Sequence, residues 1–428
     1  MLSLKSRLYS ILFWSVISAA FIGPGTLATA SSAGALYKLD LTWALVFATV
    51  ACIVLQEMAA RLAVVNNRSL SAILRDQRIK WPAWFVGFSV ILGCAAYEAG
   101  NILGAISGIG VLLNINTQLL TVMVGLTAGG ILWFGGISFV AKILGALVAV
   151  MGLVFVGVAL QIDIPTHDLA QGALIPSIPS GSGWLVLGLI GTTIVPYNLF
   201  LGSGLGRGRA LHEMRFGLIT SVTLGGLISI AILITGTQIS ELTSFLDLAR
   251  LLGNELGPWA YILMGSGLFA AGLTSSITSP LAAAVISQDL FIHKNNTHRV
   301  ILYRLGWMVV LITGMIFGLL EAKPLPVILA AQALNGLILP IVGVVLIIKT
   351  NDPALLGDHI NSKWLNILSF VVLEILLLIG LNNLWSALDR AMSIELPNDM
   401  VKILLIQLLA IPFLVYTLKK IMDLRRTT

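Results

Sequence analysis

The chain has 428 residues, 57% of them hydrophobic and only 10% charged, whereas soluble domains carry roughly 25% charged residues. That composition excludes a soluble globular enzyme and leaves a polytopic membrane protein. The formal net charge of +6 is therefore read against the bilayer before any nucleic-acid partner is considered.

Apolar runs of about 20 residues, long enough to cross roughly 30 Å of hydrocarbon, recur along the chain. They predict an all-α protein with about twelve spans, at residues 9–36, 41–66, 82–113, 117–136, 138–161, 182–206, 215–238, 257–288, 300–320, 325–349, 364–384 and 400–421, and no separate soluble domain. Span 1 contains "FIGPGTLATA", residues 21–30, where Gly23, Pro24 and Gly25 are the three consecutive residues least able to continue a helix. A break frees backbone N–H and C=O groups that cost several kcal/mol each if they face lipid. They must line a cavity or serve a ligand. Lys5 and Arg7 ahead of an apolar run, with the small residues of "LATASSA", also suit a secretory signal. The run continues through the break to about Leu36, so a retained first helix is the expectation.

Span 2 carries Glu57 and Arg61, four residues apart and so on one helix face, a spacing that predicts an internal ion pair, part of a gate or purely structural. Span 3 reads "AAYEAGNILGAISGI" and places Glu98 three residues before Asn101. A carboxylate at membrane depth is costly and normally faces the protein interior or a water path, which makes Glu98 a candidate for coupling or gating. Span 6 reads "LGLIGTTIVPYNLFLGSG", with Pro196 midway, and is expected to be discontinuous like span 1. If spans 1–5 and 6–10 are two structural repeats, the two breaks are equivalent, and such pairs mark transporter binding sites near the bilayer midplane. The side chains and freed carbonyls around them, Gly23, Pro24, Gly25, Thr26, Thr192, Thr193, Val195, Pro196, Tyr197 and Asn198, are the expected substrate contacts.

Span 8 supplies a run of small hydroxyl residues, among them Ser275 and Ser276, which suit close helix packing and, secondarily, a polar site. Gln332 and Asn335 in span 10 are secondary candidates of the same kind, as an outer gate or as backbone partners. Glu374 stands alone in span 11, where polar packing or an oligomer contact is expected. All five histidines lie outside the spans or at their ends, and Cys52 and Cys94 fall in apolar segments, so neither a histidine nor a thiolate metal site is indicated. With an inside N-terminus, 19 of the 25 basic residues fall on the inner side, as the positive-inside rule requires. Topology thus accounts for the positive charge, and nucleic acid is not an expected partner.

Four segments, "GPGT" in span 1, "LQEMAARLAVVNNRSL" at the end of span 2, "GTTIVPYNLFLGSGLGRGR" in span 6 and "GLTSSITSPLAAAVI" in span 8, resemble the corresponding segments of the Nramp family of proton-coupled divalent metal transporters. The likeness runs in order from about residue 10 to 350. It implies a LeuT-type fold of two inverted five-helix repeats, about 9–161 and 182–349, inside a single transmembrane domain, with spans 11 and 12 (about 364–421) peripheral. It also implies a metal site, but the family's ligands do not map cleanly. The helix 1 motif of the family is Asp-Pro-Gly-Asn, and its acid and amide positions are Gly23 and Thr26 here. Its Met-Pro-His-Asn of helix 6 becomes Val195, Pro196, Tyr197 and Asn198, so the soft thioether that favours transition metals is gone. The ligand carbonyl maps to Thr192, a second histidine to Gly202, and a helix 10 ligand to Ile338. Of two family acids serving proton movement in helix 3, Glu98 matches the first and Asn101 replaces the second.

A secondary transporter of a small inorganic ion is the resulting expectation: by resemblance a divalent cation, held with much of its water, with possible proton or other ion coupling. Half-helix N-termini carry positive partial charge, so a non-metal solute such as bicarbonate is the alternative. No cofactor motif, P-loop or Ser-His pairing at depth is present, and an enzyme is not expected. The bilayer and the transported solute are the only partners indicated, in a bacterial-type inner membrane with both termini inside.

Overall fold

The computed structural model describes residues 22–76, 81–134, 137–205, 210–240, 242–291, 296–392 and 399–426. Residues 9–21 of the expected first span, and charged positions such as Lys5, Arg7, Arg207 and Lys294, lie outside the described residues. Seventeen α-helices are described: α1 (Pro24–Tyr37), α2 (Thr42–Asn66), α3 (Leu70–Arg75), α4 (Trp81–Leu112), α5 (Thr117–Phe134), α6 (Ile137–Ala159), α7 (Thr166–Leu174), α8 (Gly183–Thr193), α9 (Pro196–Leu205), α10 (Leu211–Gly236), α11 (Phe245–Leu256), α12 (Trp259–Phe291), α13 (Asn296–Leu319), α14 (Pro324–Lys349), α15 (Pro353–Leu356), α16 (Lys363–Met392) and α17 (Asp399–Arg426).

Among the described residues, ten helical segments are long and apolar enough to cross a membrane, the pair α8–α9 forming one of them. The other two expected spans correspond to α6, whose described apolar part is Leu144–Ala159, and to α1, whose preceding half is not described. The main departures at the ends are that α16 runs eight residues beyond the expected 384, α17 five beyond 421 and α12 three beyond 288. Polar and charged residues continue these helices past the apolar runs, because a helix ends where its backbone bonding ends rather than where hydropathy falls. Short helices α3, α7, α11 and α15 sit in the connections. The capping box of α11, in which Ser244 and Asp247 exchange bonds with each other's backbone, is a local start signal that hydropathy does not register.

Small residues set how closely the spans approach. A Cβ at Gly108 of α4 would lie 2.3 Å from the backbone nitrogen of Phe269 in α12, and one at Gly272 of α12 would lie 2.4 Å from that of Ala105. The α4–α12 seam is therefore a backbone-to-backbone contact, the usual device where lipid supplies no hydrophobic drive between helices. Gly34 of α1 meets the Leu233 carbonyl of α10 in the same way, 2.0 Å from a virtual Cβ. α8 packs against α14, α1 lies against α8, α4 and α14, and the two helix breaks face each other at the centre of the bundle.

Candidate functional site

At the first expected break, α1 begins at Pro24 after Gly23 in extended conformation (φ −97°, ψ −178°). The second separates α8 from α9 at Ile194 and Val195. Pro196 has no N–H, so the carbonyl of Thr192, four residues earlier, loses its helical donor. Gly191, one residue before, has its carbonyl capped by the Tyr97 hydroxyl of α4 at 2.9 Å. The breaks touch directly: the hydroxyls of Thr26 and Thr192 lie 3.0 Å apart, both residues buried.

Neighbouring spans close around this contact. A Cβ on Gly25 would fall 1.9 Å from Nε2 of Gln332, so only glycine lets the α14 side chain reach the break. Pro24 packs on Gly104 of α4, where a Cβ would lie 2.2 Å from its ring, and Ser275 of α12 stands beside Gly23, 3.6 Å from a virtual Cβ. Tyr97 meets Tyr197 edge-on, ring centres 5.5 Å apart. Its hydroxyl also faces the side chains of Thr192, Gln332 and Asn335. Glu98 is fully buried, with Asn101 donating to Oε2 at 3.4 Å and Ser276 beside it.

Many polar atoms here lack a partner: Glu98 Oε1, Tyr197 Oη, Asn198 Nδ2, Ser276 Oγ, Gln332 Oε1 and both amide atoms of Asn335. Buried polar groups are nearly always hydrogen-bonded. A concentration of such atoms on α4, α9, α12 and α14, at the start of α1 and the α8–α9 break, is the arrangement expected of a site that water or a ligand completes. Two expected contributors are turned elsewhere. The Thr193 hydroxyl donates to Leu189 of its own helix at 2.9 Å, and the Val195 carbonyl accepts the Asn198 N–H at 3.0 Å while its side chain is buried in the core.

Glu57 and Arg61 form their ion pair at 3.2 Å, and Arg215 of α10 holds the other carboxylate oxygen at 2.9 Å. Arg61 also donates to the His359 carbonyl and the Asn361 side chain. Asn361 and Asn351 both donate to Asn366, at 3.0 and 2.8 Å, and Arg425 of α17 binds Asn351 and the Asn361 carbonyl. Spans 11 and 12, expected to be peripheral, are thus bonded into the end of α2. Glu374 accepts from Gln407 at 3.1 Å, a polar contact between α16 and α17.

Sequence reasoning passed over Tyr97, Asn361 and Arg425. A tyrosine beside an intramembrane acid was a usable signal for the first. Nothing local marks the other two, whose partners lie as much as 300 residues away in the chain.

The geometry, with the start of α1 facing the break between α8 and α9 inside a helical bundle and a polar centre between them, defines a membrane transporter of LeuT-like fold. Residues 15–386 match the family model described as natural resistance-associated macrophage protein-like, and the chain belongs to the Nramp family. Two curated relatives are similar over nearly their whole length. The divalent metal cation transporter MntH of Klebsiella pneumoniae (strain 342) is 25% identical over 381 residues, 84% of this chain and 90% of the relative. The protein of the same name from Erwinia tasmaniensis is 26% identical over 389 residues, 86% and 91% of the two chains. Among solved structures, a variant of the Eremococcus coleocola manganese transporter superposes with a TM-score of 0.73 at 22% identity, covering 99% of this chain and 96% of that one. Mhp1, a nucleobase-cation-symport-1 family transporter in a closed conformation with bromovinylhydantoin bound, superposes with a TM-score of 0.60 at 15% identity over 96% and 92% of the chains.

Proposed function

We propose that this protein is a secondary transporter that moves a small inorganic ion across the membrane by alternating access, with a divalent metal cation as substrate and the helix breaks as its binding site. The whole chain acts as one transmembrane transporter domain, with repeats at about 9–161 and 182–349. Family membership and the names of the relatives support the substrate class. The observation that carries the site is the Thr26–Thr192 contact, with Gln332 and Asn335, which have amide atoms without partners among the described residues, beside it.

The donor set shapes how such an ion is held. Hydroxyls, carboxamides and the freed Thr192 carbonyl are hard, neutral oxygen ligands. They suit a cation that keeps part of its water shell better than a bare transition metal. Glu98 is the buried carboxyl of this centre, and its place on α4 beside Ser276 makes it the residue through which proton movement couples. Glu57, Arg61 and Arg215 brace the end of α2. The bacterial relatives support an inner, bacterial-type membrane, and the basic-residue count supports both termini inside.

One observation favours a second reading. Among the described residues no group of three or more His, Cys, Asp or Glu side chains forms a metal-holding cluster, so the positive ends of α1 and α9 are free to hold a small anion such as bicarbonate.

Proteoliposome uptake of Mn²⁺, Mg²⁺ and bicarbonate, with and without a pH gradient, tests both readings. Gly23→Asp is the informative variant: its Cβ meets Ser275 only at ordinary contact distance, 3.6 Å, and φ is −97°. Saturable metal uptake by wild type sustains the cation reading. Bicarbonate uptake by wild type, with metal uptake appearing only in Gly23→Asp, overturns it.

A further inference from the structure

α5 and α13 are among the spans least enclosed by the rest of the protein, and a groove of about 480 Å³ runs between them. Gly125, Gly129 and Gly130 of α5 form its floor, and Met308, Leu311 and Met315 of α13 form its wall. The glycines do different things. A Cβ at Gly125 would lie 2.4 Å from the Met315 sulfur and one at Gly129 would lie 3.3 Å from Leu311, so both set how closely the helices approach. A Cβ at Gly130 would meet nothing within 4 Å, so this position opens the groove.

One end of the groove is aromatic, with a cation beside it. Trp133 and Trp307 meet edge-on there, ring centres 6.2 Å apart, and paired tryptophans sit at the membrane–water interface. Arg304 is one helical turn beyond Trp307 and, at i−4 from Met308 and i−7 from Leu311, belongs to the stripe that lines the groove. Its guanidinium carbon lies 4.3 Å over the Trp133 ring. Among the described residues it forms no ion pair. A cation therefore stands at the mouth of an apolar groove about 13 Å long, roughly half the hydrocarbon thickness.

We infer that this groove is a binding site for one phospholipid with an anionic headgroup, an acyl chain lying over Gly129 and Gly130 and the headgroup on Arg304. Basic pockets between transmembrane helices recognise anionic lipid headgroups in this way, and the acyl chain replaces contacts that the missing side chains leave unmade. The inference is independent of the transported substrate.

Native mass spectrometry of the full-length protein, delipidated and then offered phosphatidylglycerol or phosphatidylcholine, tests it. Wild type is expected to retain phosphatidylglycerol about fivefold better than phosphatidylcholine. Arg304→Gln is expected to remove that preference and Arg304→Lys to keep it. Gly130→Leu fills open space and is expected to lower retention of both lipids. Equal retention of the two lipids by wild type overturns the inference. So does an unchanged preference in Arg304→Gln, or unchanged retention in Gly130→Leu.

Discussion

The centre of the bundle and the far end of α2 are both buried and polar, yet they are built on opposite principles. At the end of α2 each side chain of the network has at least one partner, although Arg61 Nε and Arg425 Nε are left over: Glu57 holds Arg61 and Arg215, Arg61 reaches His359 and Asn361, and Asn351, Asn361, Asn366 and Arg425 bond to one another. At the centre, Asn335 has no partner on either amide atom, and the hydroxyls of Tyr197 and Ser276 are unmatched. A satisfied network rigidifies, whereas an unsatisfied one carries a desolvation cost that a ligand can relieve. The first region therefore reads as structure and the second as a site, although both contain charged residues at depth and the sequence marks them alike.

The sharpest way to break this contrast is Arg61→Ala. Removing one member of a buried, paired network is expected to cost about 3 kcal/mol, the low end of the range for breaking a buried pair, because Glu57 keeps Arg215. Thermal or denaturant unfolding of the purified protein checks it. A loss below about 1 kcal/mol would place the end of α2 with the site rather than with the scaffold.

At the centre the expected pattern is reversed. Gly25→Ala places a methyl where the Gln332 amide now lies. Because the obstructed group is the tip of a flexible side chain, stability should change by only about 1 kcal/mol while substrate uptake falls at least tenfold. Gln332→Ala added to Gly25→Ala is expected to restore part of the uptake if the clash alone is responsible, and a double variant no better than the single would make Gln332 itself a contact. Tyr197→Phe deletes an orphaned hydroxyl and is expected to leave stability within about 0.5 kcal/mol of wild type or raise it, with a weaker apparent substrate affinity in the same uptake assay.

The smallest effect belongs outside the spans. Asp76 follows α3, and Arg75, joined by Arg68, holds its carboxyl down to about 2 from its ordinary 3.8. A carboxyl depressed in the folded state contributes stability above its ordinary value and loses that contribution as pH falls through about 2. Since its side chain is 40% exposed, Asp76→Asn should cost less than about 1 kcal/mol at neutral pH. A pH-dependent melting series should show the difference vanishing in acid.

Local chemistry determined a great deal by itself. Long apolar runs cannot be anything but buried in protein or lipid, so the spans could be read directly, and Gly23-Pro24-Gly25 and Pro196 fixed the breaks because proline and glycine act on the backbone wherever the chain goes. The i,i+4 spacing fixed the Glu57–Arg61 pair for the same reason. Partners far apart in the chain were not legible: that Tyr97 caps Gly191, that Gln332 enters the turn at Gly25, and that Asn361 and Arg425 hold the end of α2. Hydropathy also missed α3 and α11, short helices in the connections that start on the Ser69 and Ser244 caps rather than on apolar length. Side-chain type says what a residue can bond, but only the packing of spans, set by glycine seams such as Gly108 against Phe269, decides which groups meet. Whether a buried polar atom is satisfied or left open to a ligand is therefore a property of the tertiary structure alone.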